Sequence, residues 1–136
     1  MGISKAVEMN FILYIKCTEK QDFTYVNPFL EAIEVKKIAA DFLDIDNFSS
    51  TELIESALKA LDKSDKCAVI IDIQTNTKLS NLYKIAYYLV DHPEKCLIFL
   101  QGKHLYLEKI LRTEPEIFSQ DLTGFEVQNK IIAFLK

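Results

Sequence analysis

The sequence predicts an α/β fold: a three-layer, doubly wound sheet of five parallel strands in the order 2-1-3-4-5. Three observations lead there. Short apolar runs alternate with stretches of helical periodicity, the pattern of parallel strands joined by crossover helices. The runs at 11–15, 67–73 and 96–100 are apolar almost throughout, as strands covered on both faces must be. The stretches at 38–45 and 117–118 have more polar neighbours and belong at the edges. Aromatic and β-branched residues in the first two runs argue against a bundle of helices.

Each element has a local reason. Phe11-Ile12-Leu13-Tyr14-Ile15 is the first strand. Asn27-Pro28 reads as a helix cap with proline at the first helical position, and that helix carries Phe29, Leu30 and Ile33 inward to about Lys37. Residues 38–45 read as the second strand, with continued helix as the alternative. Ser49-Ser50-Thr51-Glu52 fits a capping box with Ser49 as the cap. Behind it Leu53, Ile54, Ala57, Leu58 and Leu61 form one helical stripe. Cys67–Ile73 is the third strand and Lys78–Val90 a helix with Leu79, Leu82, Ala86, Leu89 and Val90 on one side. Cys96–Leu100 is the fourth strand, Lys103–Leu111 a helix and Ile117-Phe118 a weak fifth strand. Thr123-Gly124-Phe125-Glu126 is a second capping box, opening a final helix with Val127, Ile131, Phe134 and Leu135 inward.

The 136 residues fit a single domain, with residues 1–9 read as a disordered or expression-derived start. Twenty acids against sixteen bases give a net charge of −4, which disfavours a nucleic-acid binder built on a broad basic face. No apolar run reaches the length of a membrane span or a signal sequence. Three cysteines, an odd count in a chain large enough to fold without staples, suggest reduced thiols in a cytoplasm. Cys67 and Cys96 open apolar runs and read as packing residues. Cys17 is placed just beyond the first strand, accessible but without a base to activate it.

In such a sheet ligands bind outside the carboxyl ends of the strands, at the switch point between strands one and three. The candidate ligand-binding residues are therefore Thr18, Asp44, Asp72, Thr75, Asn76, Gln101 and His104, with Lys16, Cys17 and Asp46 nearby. Most polar residues in such positions are caps and loop anchors. Only three glycines are present, at 2, 102 and 124, so there is no phosphate-cradling loop of the dinucleotide or P-loop kind. His92 and His104 lack metal-ligand spacing; His92, beside Pro93, is expected to be solvated. Neither a metal nor a cofactor is expected. Asp72, at the end of the most apolar strand, sits where receiver domains carry their phosphoryl acceptor. The acid pair after strand one and the lysine after strand five that this chemistry needs are missing. An anchor for loop N–H groups is the role expected for Asp72.

The stretches Phe29-Leu30-Glu31-Ala32-Ile33, Asp41-Phe42-Leu43-Asp44, Ser56–Asp65 and Val69-Ile70-Ile71-Asp72 resemble Toll/interleukin-receptor-like domains. They are equally similar to the nucleoside 2-deoxyribosyltransferase family, which shares a flavodoxin-like fold. Asn81–Leu89 resembles the transferase helix that carries an acid, a glycine and a tyrosine. The resemblance implies a glutamate on this helix, acting at a ribosyl carbon where cationic charge develops. Leu82 stands at that position and Lys84 at the glycine. Leucine can neither attack a sugar carbon nor stabilise a cation.

The expectation is thus a non-catalytic module, binding a protein partner, a second copy of itself or a small nucleotide-like ligand. The alternative is an enzyme on a nucleoside, nucleotide or NAD, using Asp44, Asp46 and Asp72. Tyr83, Tyr87 and Tyr88, at helical spacing, read as core and rim packing.

Overall fold

The computed structural model describes residues 9–19, 39–74 and 78–135. In chain order the elements are β1 (Asn10–Cys17), β2 (Asp41–Asp46), α1 (Thr51–Lys63), β3 (Lys66–Ile73), α2 (Leu82–Asp91), β4 (Cys96–Gln101), α3 (Leu105–Leu111), β5 (Phe118–Gln120) and α4 (Gly124–Leu135). The strands form one sheet in the order β2-β1-β3-β4-β5, and every neighbouring pair is parallel. This is the flavodoxin-like arrangement that strand apolarity foretells. The helix expected at 28–37 lies outside the described residues, as do Thr75 and Asn76.

Two apolar cores lie on opposite faces of the sheet. On one, Leu13, Ile15, Val69, Ile71, Ile98 and Leu100 meet α1, α2 and α3. On the other, Ile12, Ala68, Ile70 and Phe99 meet Val127, Ile131 and Leu135 of α4. Strand side chains alternate between faces, so each central strand feeds both cores. The edges are guarded: β2 carries Asp41, Asp44 and Asp46, and β5 is three residues long. Charge and shortness both discourage pairing with another chain's strand.

Several boundaries differ from expectation for local reasons. β1 runs on to Cys17, which is fully buried on the three-helix face rather than accessible. The cap of α1 is Ser50, whose hydroxyl accepts the Leu53 N–H at 3.2 Å, so the pair with Glu52 does not form. Ser49 closes the β2–α1 turn instead, accepting the Asp46 N–H at 2.9 Å. α2 starts at Leu82, four residues later than its periodicity suggests, because Ser80 adopts a left-handed φ of 50°. Leu79 is buried in the core, as its place in the apolar stripe predicts, although it lies ahead of the helix. The box at 123–126 forms as predicted. The Glu126 N–H donates to Thr123 Oγ1 at 3.2 Å, and the Thr123 N–H donates to Glu126 Oε1 at 3.1 Å.

Candidate functional site

On the α4 face the sheet is apolar through its middle and turns polar at its carboxyl end. Register sets Asp46, Lys16, Asp72 and Gln101 side by side on β2, β1, β3 and β4. Adjacent members are about 4.8 Å apart, one strand spacing. Asp44 and Tyr14 pair one row earlier. All six are half-buried. The result is an acid–base–acid–amide line along the rim of the switch point.

Tyr14 donates its phenol to Asp72 Oδ2 at 2.8 Å, tying the two central strands together. Burial, then this bond, then the negative charges of Asp72 and Asp44 raise the Tyr14 pKa well above the ordinary value. The phenol is therefore a fixed donor and not a base. Asp72 is an anchor, as expected, but the group it holds is a phenol from β1 and not a loop N–H. The Cys17 thiol is pushed up to about 12, first by burial and then by the charges of Asp72 and Asp46. It stays protonated at neutral pH and is a poor nucleophile.

Most of the rim's remaining polar capacity is taken up by the rim itself. Asn47 clamps the Thr18 backbone, accepting its N–H at 3.1 Å and donating to its carbonyl at 2.9 Å. Asp46 Oδ1 accepts the Phe48 N–H at 2.8 Å. Gln101 donates to the Leu122 carbonyl at 2.9 Å, and the Gly102 N–H donates to Asp121 Oδ1 at 2.9 Å. Gly102 has a φ of +99°, and a Cβ there would collide with the Ile73 carbonyl oxygen. His104 is buried as the cap of α3, its Nδ1 accepting the Leu107 N–H at 3.3 Å. Thr18 is thus held through its backbone by Asn47, Gln101 and His104 hold a loop and a helix end, and Asp44 and Asp72 flank Tyr14.

Leu82, at the position where the resemblance implies a glutamate, is buried against the three-helix core. The cleft it shares with Cys17, Leu79 and Leu107 has a volume of only about 10 Å³ and an apolar lining. That is scarcely room for one water molecule. Among the described residues no group of three or more His, Cys, Asp or Glu side chains is placed to hold a metal ion. No described helix is long and apolar enough to cross a membrane.

At the opposite, amino end of the sheet, Cys67 and Cys96 are register partners, both buried and both free thiols. The Ser64 hydroxyl lies 2.7 Å from Cys67 Sγ. The Cys96 thiol first, then Ser64 and the Lys95 charge, favour ionisation of Cys67, and Cys96 is shifted the other way. Lys95 donates to the carbonyls of Leu61, Asp62 and Ser64 at 2.7, 3.3 and 3.1 Å, neutralising the C-terminal end of α1. His92 is half-buried and not simply solvated: its ring stacks on Tyr88 at 4.0 Å and its Nδ1 lies 2.8 Å from the Tyr88 carbonyl. A hollow of about 400 Å³ opens at this end between α1 and the starts of β1 and β2, with Lys59, Lys63 and Asp41 in its wall.

A different kind of surface stands on the outer side of α2 and α3. Leu105 is 70% exposed, Tyr106 68% and Tyr87 56%. Tyr83 is half-buried on the same pair of helices, its ring edge-on to His104 at 6.2 Å; burial first, then the nearby Tyr106 and Tyr87, push its pKa up. Sequence periodicity separates the inward Leu107 and Leu111 from the outward residues of α3, yet Leu105 and Tyr106 look like further core candidates. The signal was their offset: both fall on the stripe that continues to Lys109.

No family model, curated protein or solved structure matches this chain.

Proposed function

We propose that this chain is a non-catalytic interaction module that docks a protein partner through the outer face of α2 and α3. The observation that supports it is the cluster of Leu105, Tyr106 and Tyr87, three large apolar or aromatic side chains more than half exposed on two adjacent helices. Scattered apolar residues are normal on a surface, but large apolar and aromatic side chains gathered on two neighbouring helices have the composition of an interface centre. The rim adds support from the other side. Asp72, Gln101 and His104 are engaged by Tyr14, the Leu122 carbonyl and the Leu107 N–H, the phenol is held protonated, and Leu82 offers neither acid nor space. The acidic β2 and short β5 make strand addition a poor alternative mode.

A photo-reactive amino acid placed at 87 or 106 in the native cells tests this, with one at the exposed Lys130 of α4 as control. The expected result is one shared adduct from 87 and 106 and none from 130. Equal labelling at all three, or none, overturns the docking reading. Nucleoside or NAD turnover by the purified chain, abolished by Asp72→Asn, overturns the non-catalytic one.

A further inference from the structure

Among the described residues, the charges around the α2–α3 face are not balanced. Lys103 and Lys109 are exposed within one turn of Tyr106, and Lys109 Nζ stands 5.9 Å from the centre of the Tyr106 ring. Glu108 on the same helix cannot offset them at the surface. Its Oε2 accepts the His104 N–H at 3.0 Å, and its Oε1 accepts from Gln120 and Arg112 at 3.0 and 3.3 Å. Its charge is matched by Arg112 on the same helix. On α2, Lys84 reaches Glu55 of α1 at 3.5 Å, and the acid of the outer stripe, Asp91, is at the far end of the helix. A chain with a net charge of −4 thus carries a locally positive aromatic surface.

Resting on the docking reading above, we infer that the partner is an acidic-flanked apolar segment: two or three bulky aliphatic or aromatic side chains bordered by Asp or Glu. The apolar side chains cover Leu105, Tyr106 and Tyr87. The carboxylates meet Lys103 and Lys109, since complementary charge around an apolar centre sets orientation and excludes wrong partners. A second copy of this chain fits less well. An isologous contact centred on Tyr106 sets Lys103 and Lys109 against their own copies. A nucleic-acid strand fits less well too, because two lysines beside an exposed leucine do not make a track for a phosphate backbone.

The test selects displayed random dodecapeptides on the whole chain and counter-selects on the double variant Leu105→Ala/Tyr106→Ala. The expected consensus pairs bulky apolar residues with flanking Asp or Glu. A synthetic consensus peptide should bind about tenfold more weakly to Lys103→Glu/Lys109→Glu, and more weakly in high salt. Peptides that need Leu105 and Tyr106 but ignore the charge reversal overturn the acidic partner and leave the docking face standing. Selection that yields no peptide dependent on Leu105 and Tyr106 overturns the docking face itself. Sedimentation showing a dimer that the alanine variant abolishes assigns the face to a second copy and overturns the inference. Displacement of the peptide by a single-stranded oligonucleotide does the same in favour of nucleic acid. Both variants change exposed side chains, and a matched thermal melt confirms that each is folded.

Discussion

The two faces of the sheet are built from the same strands and end differently. Beneath α1, α2 and α3 the apolar rows continue to the carboxyl rim, where Cys17, Ile73 and Leu100 close the core. Beneath α4 they stop short, and the last row is Asp46, Lys16, Asp72 and Gln101. Parallel strands with helices on both faces have no need of polar ends for stability. The two faces therefore differ at their ends: one is apolar to its last row, and the other has a rim that carries charge. The outer surface of α2 and α3 is a third matter, since its aromatic residues belong to neither core.

The largest effect should come from the apolar face. Leu13 is fully buried at the centre of β1, and Leu13→Ala leaves a cavity among the three helices. A loss of about 3–5 kcal/mol is expected in urea unfolding. A loss below about 1 kcal/mol would mean that this face is loosely packed and the contrast between faces is false.

Tyr14→Phe probes the polar face and should cost less, about 1–2 kcal/mol, because one hydrogen bond to a carboxylate is lost while the ring remains. Its pH dependence is sharper than its size. The native pKa of Tyr14 lies above the ordinary value of 10.0, first through burial and then through the Asp72 bond. A raised native pKa gives stability that is complete below pH 10.0 and falls as pH climbs beyond it. Replacing Tyr14 should make that alkaline fall shallower, measured against wild type by denaturant titration. An unchanged alkaline slope would mean that neither burial nor the Asp72 bond raises the Tyr14 pKa.

How much of this could be read from the residues alone depends on distance along the chain. The apolarity of 11–15 and 67–73 against the acids of 41–46 orders the sheet, because burial of a strand is written in its own composition. The box at 123–126 is equally local. Ser49 against Ser50 is not: both are good caps, and the turn that engages Asp46 decides between them. The bond from Tyr14 to Asp72 joins residues 58 apart and exists only through register. Its trace in the sequence is slight. A lone phenol stands in an aliphatic run, two residues from the polar end of β1, on the parity that faces the acid of β3. The roles of His104 and His92 were hidden for a similar reason, since capping and stacking depend on where α2 and α3 start and stop.

α3 gives a smaller effect, at acid pH. Glu108 has its pKa lowered first by the Gln120 amide, then by Arg112 and the His104 N–H. A depressed native value supplies stability above the ordinary 4.5 that disappears as pH falls through the native one. Glu108→Gln should flatten the acid side of the stability profile while leaving the alkaline side to Tyr14. If the acid side is unmoved, the inward bonds of Glu108 are not formed in solution, and its carboxylate is available to offset Lys103 and Lys109.

The smallest effect is the one most telling for the surface. Leu105→Ala/Tyr106→Ala removes two bulky side chains, yet both are about two-thirds exposed and belong to neither core. Folding gains little from burying them, so urea unfolding should move by no more than about 0.5 kcal/mol. The Lys109–Tyr106 contact is exposed and adds little to that figure. A loss of several kcal/mol would instead show that these residues are covered within the folded chain and belong to its packing. Near-neutrality leaves large apolar groups at an α-helix surface with no part in holding the fold, as their exposure requires.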